Sequence, residues 1–116
     1  MNNNDIKGLN EKWLNSTKSF LELCEKNDIV PILNTVPTTW HKNEDGTLSV
    51  VRENRPKNEW VRNSGHRYID FEKAVGADKG EGWYEGTLCA DDVHPTEQGA
   101  QVLAARFIMD LPESTL

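Results

Sequence analysis

Asp91 and His94 stand three residues apart, and Pro95 follows the histidine. Proline restricts the residue before it to extended conformations, so the chain must turn here before it continues. A carboxylate three residues ahead of an imidazole in such a turn can accept a hydrogen bond from Nδ1. That bond fixes the tautomer and leaves Nε2 free as a general base, which is two-thirds of a Ser-His-Asp machine. The spacing alone is weak evidence, because Asp-x-x-His also describes a polar turn that merely opens a helix. Held together, Asp91, Asp92 and His94 could instead bind a cation.

The elements around this turn follow from periodicity. Trp13, Thr17, Phe20, Leu21 and Cys24 recur at helical steps and predict an amphipathic helix over 11–26, with Asn10 as its N-cap. Ile29–Val36 is an apolar run without alternation, as expected of a parallel strand buried on both faces, with Pro31 at its start or edge. Pro37 to Pro56 is expected to be a long polar connection around the turn Asn43-Glu44-Asp45-Gly46. A short helix over 56–63, stopped near Gly65, precedes a second strand, Tyr68–Phe71. Residues 77–86, with three glycines, are expected to be irregular. A last helix from Pro95-Thr96 to about Asp110 carries the stripe Ala100, Leu103, Ala104, Phe107, Ile108 and Leu111. Helices alternating with strands imply an α/β fold with parallel strands and helical crossovers. Two strands make a poor sheet, however, since three or more are normally needed.

Composition bounds the function. The 116 residues suit one domain, over 1–116, and 28% charged with 36% hydrophobic residues is ordinary for a globular protein. The net charge of −6 speaks against nucleic acid and anionic membrane as partners. No apolar run approaches the roughly 20 residues of a membrane span. The first residues lack the basic and apolar regions of a signal peptide, although an upstream one could be missing, and the compartment stays open. Cys24 reads as a small core residue, and Cys89 has no Cys-x-x-Cys partner. His41 and His66 have no common metal-ligand spacing to His94 and read as exposed loop residues; no metal or cofactor is expected. Trp40, Trp83 and Tyr84 are candidates for a sugar-binding cleft or for covering the core edge. Arg62 and Arg67 read as solvated.

The wider pattern carries a resemblance. Asp91-x-x-His94-Pro95-Thr96, then Gly99 and the stripe through Leu103 and Ala104, closely resembles the last block of SGNH (GDSL-like) hydrolases, where the Asp and His of the triad lie. Ile29–Pro37 resembles the strand leading to a Thr-x-Pro-like turn beside the active site. Asn58-x-Trp60-Val61-Arg62 and Tyr68–Phe71 resemble the family's short helix and final strand.

The resemblance implies the C-terminal portion of a three-layer α/β/α, flavodoxin-like domain. It implies ester hydrolysis through an acyl-enzyme, with His94 as acid–base and Asp91 as its orienter. Its substrate in the parent enzyme would be a small ester or an acetylated carbohydrate. The chain departs from the family in having no Gly-Asp-Ser block. Ser16, Ser19, Ser49, Ser64 and Ser114 fall in expected helices, loops or the tail, none at a strand end before a helix. Asn4-Asp5 resembles part of the family's Gly-x-Asn-Asp block, which makes Asn4 a candidate oxyanion-hole donor. The chain alone is therefore expected to be close to inactive. It would act as part of a hydrolase or as a non-catalytic binding or oligomerisation module. Its unpaired strand edge and apolar helix stripes predict a homodimer or a complex with an N-terminal half.

Overall fold

The computed structural model describes residues 10–111. They form a mixed α/β arrangement with a small parallel sheet. Helix α1 (Glu11–Lys26) is capped by Asn10, whose side chain accepts the Trp13 N–H at 2.9 Å. Its inner face meets α2 (Arg55–Arg62) through Trp13 and Trp60, whose rings lie edge to face at 5.7 Å. Strand β1 (Ile32–Asn34) pairs in parallel with β4 (Arg67–Ile69), in the register Ile32–Arg67, Leu33–Tyr68 and Asn34–Ile69. Both strands are shorter than the apolar runs suggest. The chain leaves the sheet at Asp70, which caps the short helix α3 (Phe71–Ala74) by accepting the Lys73 N–H, so Phe71 is helical rather than extended.

The polar connection 37–56 is not a structureless loop. It holds an antiparallel hairpin of β2 (Thr39–Lys42) and β3 (Leu48–Arg52), with a register shift between Thr39 and Trp40. The expected turn at Asn43–Gly46 closes it: Asp45 accepts both the backbone N–H and the hydroxyl of Thr47, and Gly46 takes φ +89°. Every residue of β3 is exposed, which is why the segment reads as a loop. Trp40 anchors the hairpin against Val75 and Ala77, with Trp83, Val102 and Leu103 packed around them.

Arg62 is not solvated. Its guanidinium meets Asp70 Oδ1 at 2.9 Å and Glu72 Oε1 at 3.0 Å, with both carboxylates almost wholly buried. Thr35 donates to Asp70, and Thr38 donates to Glu72 from both its backbone and its hydroxyl. The Asn58 amide exchanges two hydrogen bonds with the Val36 backbone, as a neighbouring strand would. These bonds clamp the segment after β1 onto α2 and α3. Burial raises the Asp70 pKa, but hydrogen bonds from Arg62, the Lys73 N–H and Thr35 outweigh it and hold the group below its ordinary value. Arg67, by contrast, is exposed as expected.

The last helix, α4 (Glu97–Asp110), is capped by Thr96, whose hydroxyl accepts the Gly99 N–H at 3.0 Å. It lies on the fold through Gly99, Val102, Leu103, Arg106 and Asp110. The stripe read from periodicity is therefore largely uncovered: Phe107 and Ile108 are 43% and 59% exposed. Gly99 packs so closely on Thr87 that a Cβ there would sit 2.1 Å from the Thr87 carbonyl oxygen.

Candidate active site

The turn between Thr87 and Thr96 is built by the backbone. Leu88 and Pro95 form an antiparallel bridge, the Cys89 N–H donates to the His94 carbonyl at 2.8 Å, and the Thr96 N–H donates to the Thr87 carbonyl at 3.0 Å. Inside this closed loop Asp91 folds back. Its Oδ1 accepts the N–H groups of Val93 and His94 at 2.9 and 3.0 Å, and its Oδ2 lies 2.6 Å from His94 Nδ1. The carboxylate is therefore held by three donors. The backbone N–H of His94, then its ring, then the N–H of Val93 hold its pKa well below the usual carboxylate range. An anionic Asp91 makes Nδ1 the protonated nitrogen of neutral His94, so Nε2 carries the lone pair. Both side chains are open to solvent, 74% for His94 and 50% for Asp91. The loop presents its base outward.

Asp92 turns the other way. Its backbone is left-handed at φ +63°, a region that Asp tolerates better than most residues. Its Oδ2 lies 2.8 Å from Nδ1 of His41 on β2. His41 is thus a paired strand residue rather than an isolated loop histidine, and the turn carries two His–carboxylate pairs built on adjacent aspartates. No local spacing marks the second pair, whose members are 51 residues apart.

A cleft of about 510 Å³ runs between the hairpin and the glycine-rich segment, lined among others by Lys42, Leu48, Trp83, Tyr84, Cys89 and Asp92. The three aromatic candidates meet here unequally. Trp40 is 5% exposed, belongs to the core, and has the Arg55 guanidinium over its ring. Trp83 is half-buried and donates its ring N–H to the Thr38 carbonyl at 2.8 Å. Tyr84 is 53% exposed, with its ring against Gly76, where φ is +81° and a Cβ would come within 2.8 Å of it. The surface offered to a ligand is therefore Tyr84 and part of Trp83.

Candidates outside this region are accounted for differently. Cys24 is buried and unpaired, as a core residue should be. His66 is half-buried beside a groove lined by Leu21, Ile29 and Pro31, far in sequence from the turn. Asn4 lies outside the described residues, as does Ser114. Among the described residues no group of three His, Cys, Asp or Glu side chains could hold a metal ion. Nor is any described helix long and apolar enough to cross a membrane. The Ser49 hydroxyl accepts from Asn43 and the Ser64 hydroxyl donates to the Val61 carbonyl, so both are engaged elsewhere. Compared with known proteins, the chain matches no family model, no curated protein and no solved structure.

Proposed function

We propose that this chain is the acid–base half of a serine ester hydrolase of the SGNH type, the C-terminal portion of a three-layer α/β/α domain. One observation carries the reading: His94 Nδ1 is 2.6 Å from a carboxylate whose charge three donors stabilise, and the ring is turned to solvent. In the complete site a serine from another segment attacks the ester carbonyl. His94 Nε2 takes the serine proton and returns it to the leaving alcohol, and Asp91 stabilises the imidazolium formed between the two steps. A water molecule then gives its proton to His94 Nε2 as it attacks the acyl carbon, and His94 returns that proton to the serine oxygen as the carboxylic acid leaves. Asn4 is the candidate oxyanion donor, and Tyr84 with Trp83 would face the alcohol portion of a small ester or an acetylated sugar.

The chain by itself should consume p-nitrophenyl acetate slowly, without saturation or burst, and a serine-directed phosphonate should not change the rate. His94→Ala should remove the larger part of that imidazole-dependent reaction. An unchanged rate in His94→Ala would defeat the reading, and steady turnover stopped by the phosphonate would reveal a nucleophile within the chain.

A second reading, a non-catalytic oligomerisation module, has its own support. Leu23, Val30, Ile108 and Met109 are each about 60–70% exposed, apolar side chains that an association could cover. β1 also has only β4 beside it among the described strands. Either reading calls for a homodimer or a complex with an N-terminal half, burying on the order of 1,500 Å². Sedimentation equilibrium at micromolar concentration should show a species heavier than 13.2 kDa. Association combined with an unchanged His94→Ala rate would favour the module.

A further inference from the structure

We propose that His41 is a positioning residue for the Asp91–His94 pair, acting through the backbone of Asp92; the inference rests on the assignment of that pair as the acid–base machinery. Asp92 lies between the two members of the pair, and its left-handed backbone turns the chain so that Asp91 can accept the N–H groups of Val93 and His94 and reach the His94 ring. A non-glycine residue there carries strain and persists only where its surroundings hold it. The surroundings are identifiable. The Asp92 N–H donates to the Cys89 carbonyl at 3.0 Å, and its carboxylate, 24% exposed, is held by His41 Nδ1 at 2.8 Å.

His41 is well placed for this. It stands on β2 next to Trp40, which is locked in the core, so its own backbone is anchored. The opposite strand, β3, is exposed throughout, and a two-stranded hairpin is marginal on its own. The His41–Asp92 bond therefore ties the hairpin wall of the cleft to the turn that bears the base. It also gives the neighbouring carboxylates separate partners, Asp92 to His41 and Asp91 to His94.

The ring nitrogens report this directly. Long-range ¹H–¹⁵N spectra at pH 9, well above the unperturbed imidazole pKa of about 6.5, distinguish the Nδ1–H from the Nε2–H tautomer. In the unaltered chain both His41 and His94 should be Nδ1–H. His41→Ala should lower the Nδ1–H population of His94 at least twofold, and His41→Asn, whose amide can replace the Nδ1 donor, should restore it. Asp92→Gly adopts the same backbone without strain, so the double variant His41→Ala, Asp92→Gly should also recover the His94 tautomer. Mere loosening of the hairpin would not be rescued that way. Unchanged His94 in His41→Ala, or no recovery in the double variant with an intact amide spectrum, overturns the proposal. An Nε2–H form of His94 in the unaltered chain would instead sink the acid–base assignment, so the two failures are separable.

Discussion

Two carboxylate sites in this molecule use similar chemistry for opposite ends. Around Arg62, two buried carboxylates converge on one guanidinium, each also accepting from a threonine hydroxyl, and the cluster joins the end of β1 to α2 and α3. Around His94, one carboxylate meets one imidazole inside a single turn, and both are open to solvent. The charges of the buried cluster cannot be separated without large desolvation costs. The exposed pair holds the fold together hardly at all but offers a free nitrogen to whatever approaches. Ion pairs in the interior build the frame, while the carboxylate–imidazole hydrogen bond at the rim leaves a ring nitrogen open to solvent.

The sharpest way to break the comparison is to remove the nitrogen partner of each. Arg62→Ala would leave Asp70 and Glu72 buried and uncompensated, and should cost about 3–5 kcal/mol in urea unfolding, enough to unfold much of the population. His94→Ala should leave the urea midpoint almost unmoved. Equal effects would mean that the two sites do not divide structure from function in this way.

A smaller effect is expected where the two regions are joined. Gly99→Ala would drive a methyl group into the Thr87 carbonyl, forcing α4 off the loop that carries Asp91 and His94. Overpacking of this kind costs about 1–3 kcal/mol, readable as a lowered melting temperature. A neutral outcome would show that α4 can shift freely and does not hold the turn in place.

The smallest effect is on the acid side. Asp70 titrates below its ordinary value when folded, so its stabilisation is fully present above the usual carboxylate range, near pH 4, and is lost as pH falls through the depressed value. Stability should therefore decline below about pH 4–5, where the unfolded carboxylates begin to bind protons. In Asp70→Asn the decline should be shallower, on a lower plateau. An acid limb of unchanged slope would show that other groups govern it.

Much of the frame was legible in the sequence for local reasons. The cap at Asn10, the parallel pairing of two short apolar runs, and the Asp91–His94 spacing all involve residues a few positions apart or a plain periodicity. What escaped depends on distant partners. Arg62 looks solvated because nothing nearby reveals that Asp70 and Glu72 will be buried over it. The hairpin hid because its outer strand, Leu48–Arg52, has no buried face, although β-branched residues around an Asp-Gly turn were a usable signal. The stripe on α4 marks a face that the described residues leave largely open, so periodicity located apolar surface without saying what covers it. His41 and Asp92 meet only after the hairpin folds over the turn.

The central claim is that Asp91 holds His94 as an Nδ1–H imidazole with its Nε2 lone pair free. The ¹⁵N shifts of the His94 ring at pH 9, compared between the unaltered chain and Asp91→Asn, test it most directly. The account predicts an Nδ1–H ring in the unaltered chain that reverts in Asp91→Asn toward the Nε2–H form preferred by a free histidine side chain in water. The same tautomer in both proteins would contradict it, because the carboxylate would then play no part in setting the base.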